Sequence, residues 1–336
     1  MGKFFSSGAT AGLLFASIAC AAPARIPPGT VAQALLMQAR QYTRIKTIHF
    51  LAVGRITVMT AQGKTEVAKT RYEYWGDGIK YRIDFQQFIH GGTIDVLVTD
   101  NGKRFRRFDR ISDILTIAPT HPIYGSPPVT QSPILEPLVP LALSFPPGTP
   151  HEQWVNLARI ARNPKSVFDR CRQVRNCGKA ISGGNPEGCI LGAYNTIPAS
   201  VTFTIGRRAP HLVIRWQANQ HGFRGAYVRL SRISYRSFLL PSGEKLYLPV
   251  SFEETGMEGH LPGPLRGPFS NQVVISHISL DKPIAASKFT INYKLARFIH
   301  DVMPDGKVHY MSVQPRRPEA PGRSWNLRKF QSPAGR

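Results

Sequence analysis

Residues 79–85, Ile-Lys-Tyr-Arg-Ile-Asp-Phe, alternate apolar and polar side chains without a break. A β-strand turns successive side chains to opposite faces, so Ile79, Tyr81, Ile83 and Phe85 share one face and Lys80, Arg82 and Asp84 the other. Turn signals fall where hairpins need them, at Gln62-Gly63, Gly76-Asp77-Gly78, Gly91-Gly92 and Asn101-Gly102. From Ile45 to Pro119 the pattern predicts strands over about 47–59, 65–75, 79–88, 93–99, 104–109 and 114–118. On the first of these, Ile48, Phe50, Ala52, Ile56 and Val58 lie on one face. An uninterrupted meander of this kind tends to coil.

Upstream, Thr30 and Gln33 form a capping box, and Val31, Ala34, Leu35, Gln38 and Tyr42 recur at helical spacing. This predicts a helix whose apolar stripe meets the sheet. Downstream, Pro119 to Pro150 holds ten prolines in 32 residues, too many for regular structure throughout. Within it Pro133 to Phe145 is very apolar, but Pro137 and Pro140 divide it into single turns. In 151–163, Trp154, Leu157, Ala158 and Ala161 form a helical stripe. Residues 164–200 read as a loop-rich insertion. Strand patterns resume at Val201, with Leu212, Ile214 and Trp216 on one face of the next strand. Between Ala226 and Phe238 the alternation changes phase, which predicts a bulge near Ser231. Further strands are expected over 246–252 and 272–280, with a loop at Leu261 to Pro268.

The chain has 43 Lys and Arg against 20 Asp and Glu, a formal charge of +23. Such an excess favours anionic partners. Residues 1–24 read as a signal peptide: Met1-Gly2-Lys3 is a short positive start, and Ala9 to Ala19 is apolar but too short to span a bilayer. Export argues against nucleic acid and leaves an anionic membrane surface or polymer. Ala19-Cys20-Ala21 suits ordinary cleavage, whereas Ser17-Ile18-Ala19-Cys20 resembles a lipobox that would lipidate Cys20. In an oxidising compartment two of Cys171, Cys177 and Cys189 are expected to pair, and the sequence does not say which. Zinc held by these thiols and His211 is the sharper alternative, but the spacing is not that of a zinc finger. Residues 314–336 carry six basic residues and one acid with few aliphatics, so 313–336 read as a basic, disordered tail.

Residues 35–118 resemble the N-terminal part of the periplasmic outer-membrane lipoprotein carrier (LolA/LolB-like) family. The shared order is a helix ending near Tyr42, then "IKTIHFLAVGRITV", a strand with Tyr74-Trp75, "YRIDF", and "VTDNGKRFRRFDRISDILTI". The segment "DKPIAASKFTINYKLARFIHDV" (281–302) is similar to the family's last strand. The resemblance implies an α+β fold over 25–312: an incomplete antiparallel half-barrel with helices covering its concave face, interrupted by an insertion at about 119–200. It also implies a cavity for acyl chains of lipids or lipoproteins, with Pro133 to Phe145 in the position of the family's lid helix. Candidate lining residues are Ile48, Phe50, Tyr81, Ile83, Phe85, Leu138 and Trp154. One departure stands out. The family's carriers have Arg-Pro after the second strand's aromatic, where this chain has Gly76-Asp77-Gly78.

No Gly-x-Ser-x-Gly, His-Glu-x-x-His or Gly-x-Gly-x-x-Gly motif is present, and the Gly183–Gly188 run lacks the Gly-Lys-Ser/Thr ending of a phosphate loop. Asp84 and Asp95 fall on polar strand faces rather than in a cleft, so no carboxylate pair is set up for glycoside chemistry. The expectation is a noncatalytic, exported lipid- or lipoprotein-binding protein of the periplasm or outer membrane, without metal or cofactor. The alternatives are a structural envelope protein bound to anionic polymer or membrane, and a hydrolase with an unrecognised site.

Overall fold

A computed structural model describes residues 31–60, 63–89, 92–119, 133–138, 157–158, 162, 187–194, 197–206, 208–220, 227–257 and 268–313. Helix α1 (Val31–Tyr42) leads into a six-strand meander of β1 (Thr47–Thr60), β2 (Gly63–Asp77), β3 (Lys80–Ile89), β4 (Gly92–Asp100), β5 (Phe105–Asp109) and β6 (Ile114–Ala118). A second run holds β7 (Glu187–Tyr194), β8 (Ile197–Ile205), β9 (Val213–Gln220), β10 (Tyr227–Leu239), β11 (Lys245–Met257) and β12 (Pro268–Leu280). The short strands β13 (Phe298–Val302) and β14 (Val308–Ser312) follow. All belong to one 14-stranded sheet, in the order β14-β13-β6-β5-β4-β3-β2-β1-β12-β11-β10-β9-β8-β7.

The two runs join where β1 pairs antiparallel with β12, placing Ile48 opposite Leu280 and Val58 opposite Phe269. On its other side β1 pairs with β2 along almost its whole length. The pairing of β13 with β6 is parallel. A parallel neighbour cannot be reached by a hairpin, and the return from β6 to β13 spans most of the chain.

This architecture corrects the expected α+β half-barrel with helices over its face. The fold is mostly sheet and the sheet is not closed. Among the described residues α1 is the one α-helix with both ends in view, and residues 157, 158 and 162 are also helical. Over the apolar stretch 133–145 they show only a six-residue 3-10 helix, Pro133–Leu138, with Pro137 inside it. Proline removes a donor and clashes with the preceding turn, so a regular helix cannot form there. The insertion expected to be loop-rich supplies a further strand, β7.

Three local expectations are also revised. Ile79 does not join the apolar row: it lies before β3 and is 53% exposed, against the Gly102 turn, where an added Cβ would fall 2.4 Å from the Ile79 Cδ1. In β9 the buried residues are Val213, Trp216 and Ala218 rather than Ile214, because the pairing of β8 with β9 shifts at Thr204/Ile205. Pro268 opens β12 instead of closing a loop. The bulge expected near Ser231 is present as a register shift between Ser231 and Ser234, with Arg232 at φ +53°.

Helix α1 lies against β9, β10 and β11. Its buried Gln38 accepts from the Val213 N–H at 3.2 Å and donates to the Tyr235 hydroxyl at 3.1 Å, and that hydroxyl donates to the Val213 carbonyl at 2.7 Å. The helix is therefore fixed by hydrogen bonds as well as by its apolar stripe of Ala34, Leu35, Ala39 and Tyr42.

Candidate functional site

Pairing turns the alternation of β1 to β4 into rows across one face. Phe50 stands opposite Tyr74, Tyr74 opposite Ile83, and Ile83 opposite Val98. Beside this row run Ala52, Tyr72, Phe85 and Val96. Phe50 stacks on Tyr74 at 5.3 Å and on Tyr72 at 5.9 Å between ring centroids. In the neighbouring row Gly76 faces Tyr81. The Tyr74 ring occupies the space above Gly76: a Cβ there would lie 2.8 Å from it. Glycine at this position therefore makes room for an aromatic side chain.

Six of the seven expected lining residues, Ile48, Phe50, Tyr81, Ile83, Phe85 and Leu138, lie in one buried cluster. Trp154 lies outside the described residues, as do Cys20, Cys171, Cys177 and the 314–336 tail. Cys189 lies in β7, where only the backbone is described. His211 directs its Nδ1 to the Gly206 carbonyl at 3.1 Å, and among the described residues no group of His, Cys, Asp and Glu could hold a metal.

The cluster is covered by α1 and by the 3-10 helix Pro133–Leu138, whose Ile134, Leu135 and Leu138 are at most 1% exposed. That short helix packs on β9, β11 and β12. Leu157 joins the same cluster. Sequence reading missed Tyr72, which the period-two pattern of β2 relative to Tyr74 would have found. Its hydroxyl is buried without a hydrogen-bond partner among the described residues. Burial, and then the nearby Tyr74 and Tyr81, push its pKa well above the ordinary phenol value.

The opposite face of the same strands is charged. Arg110 forks onto both oxygens of Asp84 at 2.8 and 2.9 Å and also bonds Asp95. Glu73 takes the His49 Nε2 at 3.1 Å and Arg71 at 2.6 Å. Burial alone would raise the Glu73 carboxyl, but the His49 hydrogen bond and the Arg71 charge outweigh it and hold the pKa below the ordinary value. His49 stacks on Trp75 with centroids 4.8 Å apart. The cations of Arg82 and Lys288 lie 5.4 and 4.7 Å from the Trp75 ring centroid. The stretch 281–296 is anchored here: Asp281 accepts from the Lys46 and Thr47 amides, and Phe289 is buried.

The fold and site define a mostly-β protein with a large apolar interior on one sheet face and an ion-paired layer on the other. No family model and no curated protein matches the chain. Among solved structures, the crystal structure of a DUF1329 family protein from Desulfovibrio piger is similar at 9% identity, covering 77% of this chain and 95% of that one with a TM-score of 0.37. A likeness at that TM-score carries no argument about fold or function.

Proposed function

We infer that the protein is an exported, noncatalytic binder of acyl chains, of lipids or lipoproteins, that takes its ligand against the apolar face of β1 to β4 and β8 to β12. The observation that carries this reading is the cover. Over β9, β11 and β12 the apolar face is closed by a six-residue 3-10 helix broken by Pro137, not by a stable helix. Its Ile134, Leu135 and Leu138 fill space that an acyl chain could fill equally well. A short element with few internal hydrogen bonds opens at lower cost than a strand of the sheet.

A second reading is favoured by the burial itself. Phe50, Leu135 and Leu138 are at most 1% exposed, so the interior is filled by the chain's own side chains, as in a structural envelope protein. Titration with a neutral hydrophobic fluorescent probe separates the two. The binding reading expects saturable uptake, displacement by a diacylated lipopeptide, and tighter uptake when Leu138→Ala thins the cover. A well-folded protein that takes up neither probe nor lipopeptide leaves the structural reading in place.

A further inference from the structure

On the ion-paired face, the segment after β12 arches over His49 and Trp75 and leaves a cavity of about 260 Å³. Its walls include His49, Trp75, Lys282, Pro283, Ile284 and Lys288. The electrostatics here do not balance. Among the described residues, Lys282 and Lys288 have no acid within ion-pair distance. Behind the Trp75 wall, Arg82 reaches Asp84 only at 3.9 Å, because both Asp84 oxygens are committed to Arg110. The Arg82 side chain is 18% exposed, and its Nε has no hydrogen-bond partner among the described residues. The Glu73 carboxylate is committed to His49 and Arg71. Two cations, Lys282 and Lys288, therefore line a cavity in which Glu73 is already engaged, and a third, Arg82, stands against the Trp75 ring that forms one wall. Arg82 donates to the Lys288 carbonyl at 3.2 Å, which ties it to the segment that forms the cavity, and an anion entering there would add to the weak 3.9 Å pairing with Asp84.

We propose that this cavity is a binding site for a phosphate ester, held by Lys282 and Lys288 at its mouth and by the field of Arg82 behind Trp75. Lysine serves phosphate as a mobile point charge without demanding bidentate geometry. The apolar wall of Pro283 and Ile284 suits the organic part of an ester better than a bare inorganic ion. The site is on the sheet face opposite Phe50 and Tyr74, since His49 and Trp75 alternate with them. It is therefore independent of acyl-chain binding in the interior.

The same chemistry could come from a soluble phosphate ester or from a phospholipid headgroup, so the test has two arms. Glycerol 3-phosphate is titrated calorimetrically into the full chain, and the full chain is co-sedimented with phosphatidylcholine vesicles with and without phosphatidic acid. Binding in the first arm identifies a free ester as sufficient. Binding in the second arm alone identifies the headgroup as the source. In whichever arm binds, Lys282→Ala with Lys288→Ala weakens affinity by about tenfold or more, while Lys245→Ala with Lys307→Ala, removing the same charge elsewhere, changes it by less than about twofold. Equal weakening by the two pairs overturns the proposal in favour of diffuse attraction, and so does the absence of binding in both arms.

Discussion

The two faces of β1 to β4 are made by the same alternation yet solve opposite problems. On the inner face Phe50, Tyr72, Tyr74, Ile83 and Phe85 pack ring on ring and aliphatic on ring. On the outer face His49 and Glu73, and Asp84 and Arg110, satisfy one another through charge, and Trp75 stacks on His49. Apolar burial is nondirectional and roughly proportional to area, so the inner face tolerates no loss of volume but little depends on angle. Ion pairs in a half-wet layer gain less, and their value depends on how well each charge is enclosed. Stability is therefore concentrated on the inner face, and the outer face sets which charges remain available to a partner.

The sharpest way to break this comparison is to remove Phe50. It is wholly buried between Tyr72 and Tyr74 in the middle of the sheet, where neighbours paired on both sides cannot collapse into the gap. Phe50→Ala is expected to cost about 3–5 kcal/mol in urea or guanidinium unfolding, with the m-value unchanged. A loss below about 1 kcal/mol would show an interior loose enough to absorb a missing ring.

The strongest outer-face effect should come from Arg110. Replacing it with Met leaves Asp84 and Asp95 together with no shared cation. The expected loss is about 2–3 kcal/mol, less than for a fully buried pair because Arg110 keeps 29% of its side chain exposed. Adding Asp84→Asn and Asp95→Asn should restore most of it, since the repulsion leaves with the charges. A triple variant no more stable than Arg110→Met would mean that packing of the arginine stem, not its charge, is what matters.

Both faces of β3 were legible in residues 80–85, because period two is a local signal and tertiary packing reinforces it. The turns were equally local: Gly102 sits at φ +81°, and the Asp100 side chain accepts from its amide. The bulge at Ser231 was visible as a change of phase. What was not legible depends on partners remote in sequence. Nothing near Ile48 announces that Leu280 will lie beside it, and nothing in Phe298–Val302 announces a parallel neighbour in β6. Val213 escaped because a register shift where it pairs with Ile205 of β8 decides which parity points inward. Six of the expected lining residues lie together because face membership is written in alternation. The outer cavity was missed altogether, since it needs His49 and Trp75 to meet Lys282 and Lys288 across the joint between the two strand runs. The broken helix at Pro133–Leu138 was legible, because Pro137 forbids a regular one; the share of helix over the sheet was overestimated because it came from the family resemblance and not from these residues.

Acid sharpens the comparison further, because only the outer face titrates. The depressed Glu73 pKa means that its pairing with His49 and Arg71 contributes stability fully present above the unfolded carboxyl value, near 4.5, and lost as pH falls through the lower folded value. Glu73→Gln should therefore be less stable than the parent at pH 7, by an amount on the order of 1 kcal/mol for the lost charged hydrogen bonds. The gap should close as pH drops below about 4.5, giving the variant a flatter acid limb in thermal melts. A gap that persists unchanged at pH 3 would assign the loss to packing rather than to charge.

The smallest effect belongs to the exposed end of that same outer face, and it tests whether enclosure or mere pairing confers value. Arg55 Nε meets Glu66 Oε2 at 3.1 Å, a full ion pair though single where that of Arg110 is forked. Lys69 reaches the other Glu66 oxygen at 3.2 Å. The Arg55 and Glu66 side chains, however, are 59% and 38% exposed, so water and salt screen them, and holding long side chains in one geometry costs rotamer entropy. Arg55→Ala should change stability by less than about 0.5 kcal/mol, and the difference should vanish in about 0.5 M salt. Arg110→Met should lose little of its effect under the same salt, because its carboxylates lie where counterions penetrate poorly. Were the two substitutions to cost the same, neither the fork nor the greater enclosure of the central layer would contribute anything.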